Sequence, residues 1–201
     1  MKYLKDPIEK EIVIDKSRFI CQLHPVSSIE EIEDILTKIR KEHREANHNC
    51  YAYTFDHMRL MKASDDGEPQ KTAGVPMLEV LKHHELTDVL AVVTRYFGGI
   101  KLGAGGLVRA YTNAVTNALL DATLGYKNEK DVYEVLLPYH LYDTFLYQTK
   151  DKAIILDQVF ESEIRVILYF NSSNIETLNQ FFNNQLNYAF KEKLVVFEPL
   201  K

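Results

Sequence analysis

The chain of 201 residues contains two cysteines, Cys21 and Cys50, and no CxxC pair. That excludes a disulfide framework and fits a reducing cytosol. Long apolar runs are missing as well. None approaches the roughly 18–20 residues that a membrane span needs. The first residues, MKYLKDPIEKE, are charged and lack the apolar core of a signal peptide. The expectation is a cytoplasmic protein without membrane contact. Positive charge is also in short supply, with 24 Lys and Arg against 29 Asp and Glu, a net charge of −5. Residues 1–129 hold 17 against 19 and residues 130–201 hold 7 against 10. Neither stretch is a basic module, so a protein that coats nucleic acid by charge alone is excluded. Any nucleic-acid contact has to come from a local patch. What is present, 46% hydrophobic and 26% charged residues, is the composition of an ordinary globular protein. The length allows one large or two small domains.

Glycine is scarce too, and unevenly placed. Five of the eight glycines, Gly98, Gly99, Gly103, Gly105 and Gly106, fall within nine residues. They follow an unbroken apolar run at 89–93 that reads as a strand buried on both faces. Between run and glycines stand Thr94, Arg95, Tyr96 and Phe97. From Leu107 the chain reads as a helix with Val108, Tyr111, Val115, Ala118, Leu119 and Ala122 on one stripe. Arg109, Thr112, Asn113 and Thr116 lie opposite. A strand, a glycine loop and a helix start leave backbone N–H groups pointing outward, which suits an anion.

Before this stretch, residues 12–14 and 18–23 read as a strand pair turning at Asp15, Lys16 and Ser17. Ser28 with Glu31 forms a capping box that opens a helix on Ile29, Ile32, Ile35, Leu36 and Ile39. Acidic residues open that helix and basic residues close it, as the helix dipole favours. Residues 49–55 and 59–63 read as a hairpin, and 64–74 (SDDGEPQKTAG) as a polar loop. Pro76 marks a first helical position for a short helix closed by His83 and His84. The long helix fades near Gly125, and 126–131 is a polar connector. Beyond it, strands at 132–137, 154–160, 164–170 and 194–197 alternate with helices around Phe145 and Leu178. The order βαββαβ is that of a ferredoxin-like domain. The expected fold is α+β in two domains, 1–129 and 130–201.

Several constellations carry chemistry. Gly98 and Gly103 have P-loop spacing, but Ala104 and Gly105 stand where Lys and Ser/Thr are required, and Val108 takes the third glycine's place in the dinucleotide fingerprint. The arrangement is similar to the phosphate loop of the galactokinase and homoserine kinase group, which carries serines where this chain has LGAGGL. Asp65, Asp66 and Glu68 around Gly67 offer oxygen ligands for a hard cation or carboxylates for acid/base work. They serve equally to make turns or to pair with Arg95, Lys101 or Arg109. His43, His48 and Cys50 lack the second ligand pair of a zinc site, and Cys50 opens an apolar strand. No nucleophile triad is evident. Arg95, Lys101 and Arg109 beside Tyr96 and Phe97 form the leading set. Either the cations contact phosphates while a ring stacks on a base, or the aromatics are core and the cations pair with the acidic loop.

At these residues the chain resembles a known family. SDDGEPQKTAG at 64–74 with Val75, Pro76, Met77 and Leu78, VTRYFGGIKLGAGGLVRAY at 93–111, KSRF at 16–19 and HNCYAY at 48–53 match the signature of the IMPACT/YigZ family over about residues 16–120. Lys71 departs from it, where a small residue is common. The resemblance implies an N-terminal domain with the β–α fold of domain IV of elongation factor G, followed in bacterial members by a ferredoxin-like domain. It implies translation regulation. In eukaryotic relatives the IMPACT domain competes for a ribosome-associated activator and so restrains a kinase that acts on an initiation factor. Those relatives carry a different N-terminal domain, which is not expected here, so that specific partner is not carried over. It supplies no catalytic residues, cofactor or metal. The expectation is a non-catalytic binding protein whose partner is the ribosome, RNA or a translation-associated protein. Its binding residues would be Arg95, Tyr96, Gly98, Gly99, Lys101, Gly103, Gly105, Gly106 and Arg109, supported by Asp65, Asp66 and Glu68. The alternatives are an enzyme or sensor holding a phosphorylated small molecule at the glycine loop, and a pure protein–protein adaptor.

Overall fold

A computed structural model describes residues 1–200. In chain order the elements are β1 (Tyr3–Leu4), β2 (Ile8–Ile14), β3 (Ser17–Pro25), α1 (Ile29–Glu42), β4 (His48–Phe55), β5 (Leu60–Ser64), α2 (Gly74–His83), β6 (Val89–Tyr96), α3 (Gly103–Leu120), β7 (Leu124–Leu137), α4 (Tyr139–Thr149), β8 (Ala153–Phe160), β9 (Ile164–Phe170), α5 (Ile175–Phe181) and β10 (Asn187–Pro199). The fold is α+β in two units. Residues 1–126 with 197–200 make the first, and 127–196 the second. Among the described residues, no helix is long and apolar enough to cross a membrane.

The first unit is built on an antiparallel sheet in the order β2-β3-β6-β4-β5. Its central strand, β6, is buried from Val89 to Arg95 because both faces of the sheet are covered. Val89, Ala91 and Val93 face α2 and α3, packing with Met77, Leu81, Tyr111 and Val115. Leu90 and Val92 face α1 at Ile32, Leu36 and Ile39. Two covered faces replace the alternation of a half-buried strand with a continuous apolar run. Ser28 caps α1 by accepting from the Glu31 N–H, while the Glu31 carboxylate accepts from Ser27 N–H and Oγ, one residue before the box position.

Three local readings change. Helix α3 starts at Gly103, so three of the clustered glycines belong to its first turns rather than to the preceding loop. Its buried stripe is Leu107, Ala110, Tyr111, Ala114, Val115, Ala118 and Leu119, which leaves Val108 37% exposed. Residues 126–131 are strand rather than connector, being part of β7, where backbone pairing overrides a polar composition.

In the second unit the order β7-α4-β8-β9-α5-β10 holds, with strands arranged β10-β7-β9-β8. β9 pairs antiparallel with both β7 and β8. Val135, Leu137, Phe145, Val166, Leu168 and Leu178 fill its core. This is the expected ferredoxin-like arrangement.

Candidate functional site

β6 places its odd-numbered residues toward α2 and α3, and Arg95 continues that series. A guanidinium carried there has to be paired, because an isolated buried charge is prohibitively costly. Its partner is Glu68. Arg95 Nη1 donates to Glu68 Oε1 at 2.6 Å, with side-chain exposures of 6% and 3%. The Tyr111 hydroxyl donates to the same oxygen at 2.8 Å, and His48 Nε2 lies 3.8 Å from the other. Arg95 Nη2 meets Ser17 Oγ at 3.4 Å, and the guanidinium sits 5.3 Å from the Phe19 ring and 5.6 Å from Phe97. Its Nε has no hydrogen-bond partner among the described residues. Arg95 therefore pairs with the acidic loop.

The acidic loop has a structural task. Asp65 accepts from the backbone N–H groups of Lys71 at 2.7 Å, Ala73 at 3.0 Å and Gly74 at 2.9 Å. Ala73, the residue at the helix boundary, supplies no side-chain cap, so a carboxylate eight residues upstream satisfies the orphan donors of α2. This moves the helix start two residues ahead of Pro76. Asp66 accepts from the Asn49 N–H at 2.6 Å, and its carbonyl meets His48 Nδ1 at 2.9 Å. Among the described residues, no group of three or more His, Cys, Asp and Glu side chains is arranged to hold a metal ion.

Cys50 is part of the same buried layer. Its thiol donates to the Asp65 carbonyl at 2.9 Å and the Tyr111 hydroxyl at 3.4 Å. Burial pushes its pKa up to about 12, which makes it a poor nucleophile. The Tyr111 hydroxyl is likewise raised, first by burial and then by Cys50 and Glu68.

Above this layer the loop is pinned to the β2–β3 turn. Gly98 N–H donates to Ser17 Oγ at 3.2 Å, and Phe97 N–H to Asn47 Oδ1 at 2.8 Å. A Cβ at Gly98 would stand 2.0 Å from the Lys16 carbonyl carbon, so only glycine fits. Gly99 has φ +88° with open space around it. Leu102 precedes α3 and offers no side-chain cap, which leaves the N–H groups at the start of the helix to solvent. Lys101 and Arg109 are exposed beside this end, and neither has an ion pair among the described residues. Arg109 Nη1 lies 3.8 Å from the place of a Gly105 Cβ, over the first turn. A cavity of about 380 Å³ opens between Glu68, Pro69, Arg95, Phe97, Lys101 and Gly103.

The structure thus brings Gly98, Gly99, Lys101, Gly103, Gly105, Gly106 and Arg109 to one surface, with Phe97 45% exposed beside them. Arg95 and Glu68 lie underneath as its support. Tyr96 is not brought there. It points to the other face of β6, bonds His43 Nδ1 through its hydroxyl at 3.0 Å and carries the Arg18 guanidinium over its ring. Ser17, Asn47 and the hydroxyl of Tyr111 are supports that sequence reasoning missed. For Tyr111 a signal existed: a tyrosine among small aliphatic residues on a buried stripe needs a partner for its hydroxyl.

All of these residues lie within 15–119, the segment matched by the family model of the Impact N-terminal domain. IMPACT family member YvyE of Bacillus subtilis (strain 168) is 58% identical over 117 residues, covering 58% of this chain and about half (54%) of the relative's own length. An IMPACT family member of Haemophilus influenzae is 37% identical over 197 residues, 96% of this chain and 93% of its own. A crystal structure of a hypothetical protein superposes with a TM-score of 0.60 at 29% identity, covering 95% of this chain and 97% of its own. With a family model matched over more than half its length and a relative aligned along nearly all of it, this chain belongs to the IMPACT family.

Proposed function

We propose that the protein is a non-catalytic regulator of translation, acting in the cytoplasm, that contacts ribosomal or other RNA through the start of α3. The observation that carries this reading is a helix N-terminus without a side-chain cap, flanked by Lys101 and Arg109, neither of which has an ion pair among the described residues. Free N–H groups and the helix dipole favour a phosphate there, and the two cations release counterions when they meet it. The exposed Phe97 ring is available to stack on an unpaired base. Family membership supports a role in translation, as the resemblance to the eukaryotic regulators implies. The surrounding carboxylates, thiol and buried arginine are engaged in internal bonds, which favours binding over catalysis. Fluorescence anisotropy with a labelled single-stranded RNA tests the reading. Binding should weaken steeply between 50 and 200 mM salt, at the ionic strengths where such contacts fail. Binding that ignores salt would refute phosphate contact.

A second reading is supported by the 380 Å³ cavity beside the same helix end: a phosphorylated small molecule held by Lys101 and the first turn of α3. A thermal-shift panel of nucleotides and sugar phosphates, with and without magnesium, distinguishes it. A ligand at 100 times its Kd stabilises by about 2.7 kcal/mol, and a flat panel would dismiss this reading.

A further inference from the structure

A groove of the first unit with a volume of about 700 Å³ lies away from the glycine loop, between α2 and α3. Its walls are two helical ridges of the same spacing. Val75, Glu79 and His83 run along α2, and Val108, Thr112 and Thr116 along α3. Each ridge steps by four residues and spans about 12 Å, just over two turns. Ridges at this spacing are what a third helix needs to interdigitate by ridges-into-grooves packing. The floor is apolar, formed by Pro76 and Val80, while Val75 and Val108 on the rims are 39% and 37% exposed. Valine and threonine are short enough to let another backbone approach closely.

The charges around the groove are lopsided in a chain whose net charge is negative. Its one acid, Glu79, is taken by Lys82 at 2.7 Å. Lys71, at one end, has no ion pair among the described residues. His84, at the far end, is held toward its neutral form by burial and then by His83 and Lys2, a sign of positive surroundings. A small ligand would be buried too little in so open a trough, since ligand pockets enclose most of their guest.

We propose that the α2–α3 groove docks an amphipathic helix of a partner protein, about two turns long, with an apolar stripe on the valine ridges and Asp or Glu at one flank to meet Lys71. Helix-in-groove recognition of this kind reads anchors at i, i+4 and i+7. The surface is separate from the helix end at Lys101, so the proposal goes beyond RNA contact and stands without it.

The test is selection of helical peptides from a phage-displayed library with randomised positions, using the full chain as bait. Enriched sequences should carry apolar residues at i, i+4 and i+7 and a surplus of acids beside them. A synthesised winner should bind at least tenfold more weakly to Val75→Glu and Val108→Glu. It should lose at least threefold with Lys71→Glu, which should in turn favour the same peptide with its acids exchanged for lysine. Both valines are exposed, and Val75→Ser and Val108→Ser repeat the test if a melting curve shows that the glutamates unfold the chain. A photo-crosslinker at the peptide's central apolar position should label α2 or α3 in the unaltered protein. No enrichment, winners without an acidic surplus, labelling elsewhere, or equal affinity for the valine variants would overturn the proposal.

Discussion

Arg95 and Glu68 meet at 2.6 Å beneath the glycine loop, both nearly sealed from water, and hold the strand, the acidic loop and α3 in one layer. A buried ion pair is not itself strong support for stability, because desolvation offsets much of the attraction. Removing one partner is different, since it strands a charge and costs about 3–5 kcal/mol. Arg95→Met and Glu68→Leu are each expected to lose that much in urea denaturation, and the double exchange less than the two together. A single variant within about 1 kcal/mol of the parent would show that the pair is not the support described here.

Asp65 is the cap of α2 although it lies outside the helix. Asp65→Ala removes the acceptor for three backbone N–H groups and is expected to cost about 2–3 kcal/mol. Asp65→Asn, which keeps one oxygen, should cost less. Amide exchange at Ala73 and Gly74 should speed up ahead of the rest of the helix. Unchanged protection at those two amides would contradict the capping role.

Two adjacent glycines should respond differently to alanine. At Gly98 a Cβ meets the Lys16–Ser17 backbone, which cannot step aside, so Gly98→Ala is expected to cost about 3 kcal/mol or more. At Gly99 there is open space and only the left-handed φ to overcome, so Gly99→Ala should cost about 1 kcal/mol. Equal losses in thermal melts would mean that the loop is not pinned at Gly98.

The buried Cys50 gives a pH signature. Its folded pKa, about 12, lies above that of the unfolded thiol, so the native state holds a proton that the unfolded chain has released. Stability is therefore complete below about pH 9 and falls as pH rises toward 12, by about 1.4 kcal/mol per unit for this group. Cys50→Ala should flatten that part of the profile. At pH 8 the native thiol should resist a disulfide reagent, because burial keeps it protonated and out of reach. Rapid labelling of Cys50 in the folded chain would contradict its burial.

Much of the fold was legible locally. The apolar run of β6, the Ser28 cap and the βαββαβ order each depend on neighbours in sequence, and each has the expected form. What was not legible is long-range. The start of α2 depends on Asp65, and the strand at 126–131 depends on pairing that polar residues do not announce. The stripe of α3 keeps Tyr111, Val115, Ala118 and Leu119, but Leu107 rather than Val108 meets the core. For the candidate site, charge type and glycine spacing singled out residues that fold close together but could not sort the cations among them. Arg95 falls on the buried side of β6 by strand parity, whereas Lys101 and Arg109 remain in solvent. A continuous apolar run hides the parity that separates Arg95 from Tyr96.

Co-sedimentation with ribosomes across a salt series tests the central claim most directly. The unaltered chain would be compared with a Lys101→Ala, Arg109→Ala double variant, which leaves the buried Arg95–Glu68 pair intact. The account expects binding that falls with salt. In the double variant, binding should be lost or its salt slope reduced by roughly 1.4–1.8, the share of two phosphate contacts. Absence of binding by the unaltered chain at low salt, or identical salt curves for the two proteins, would contradict it.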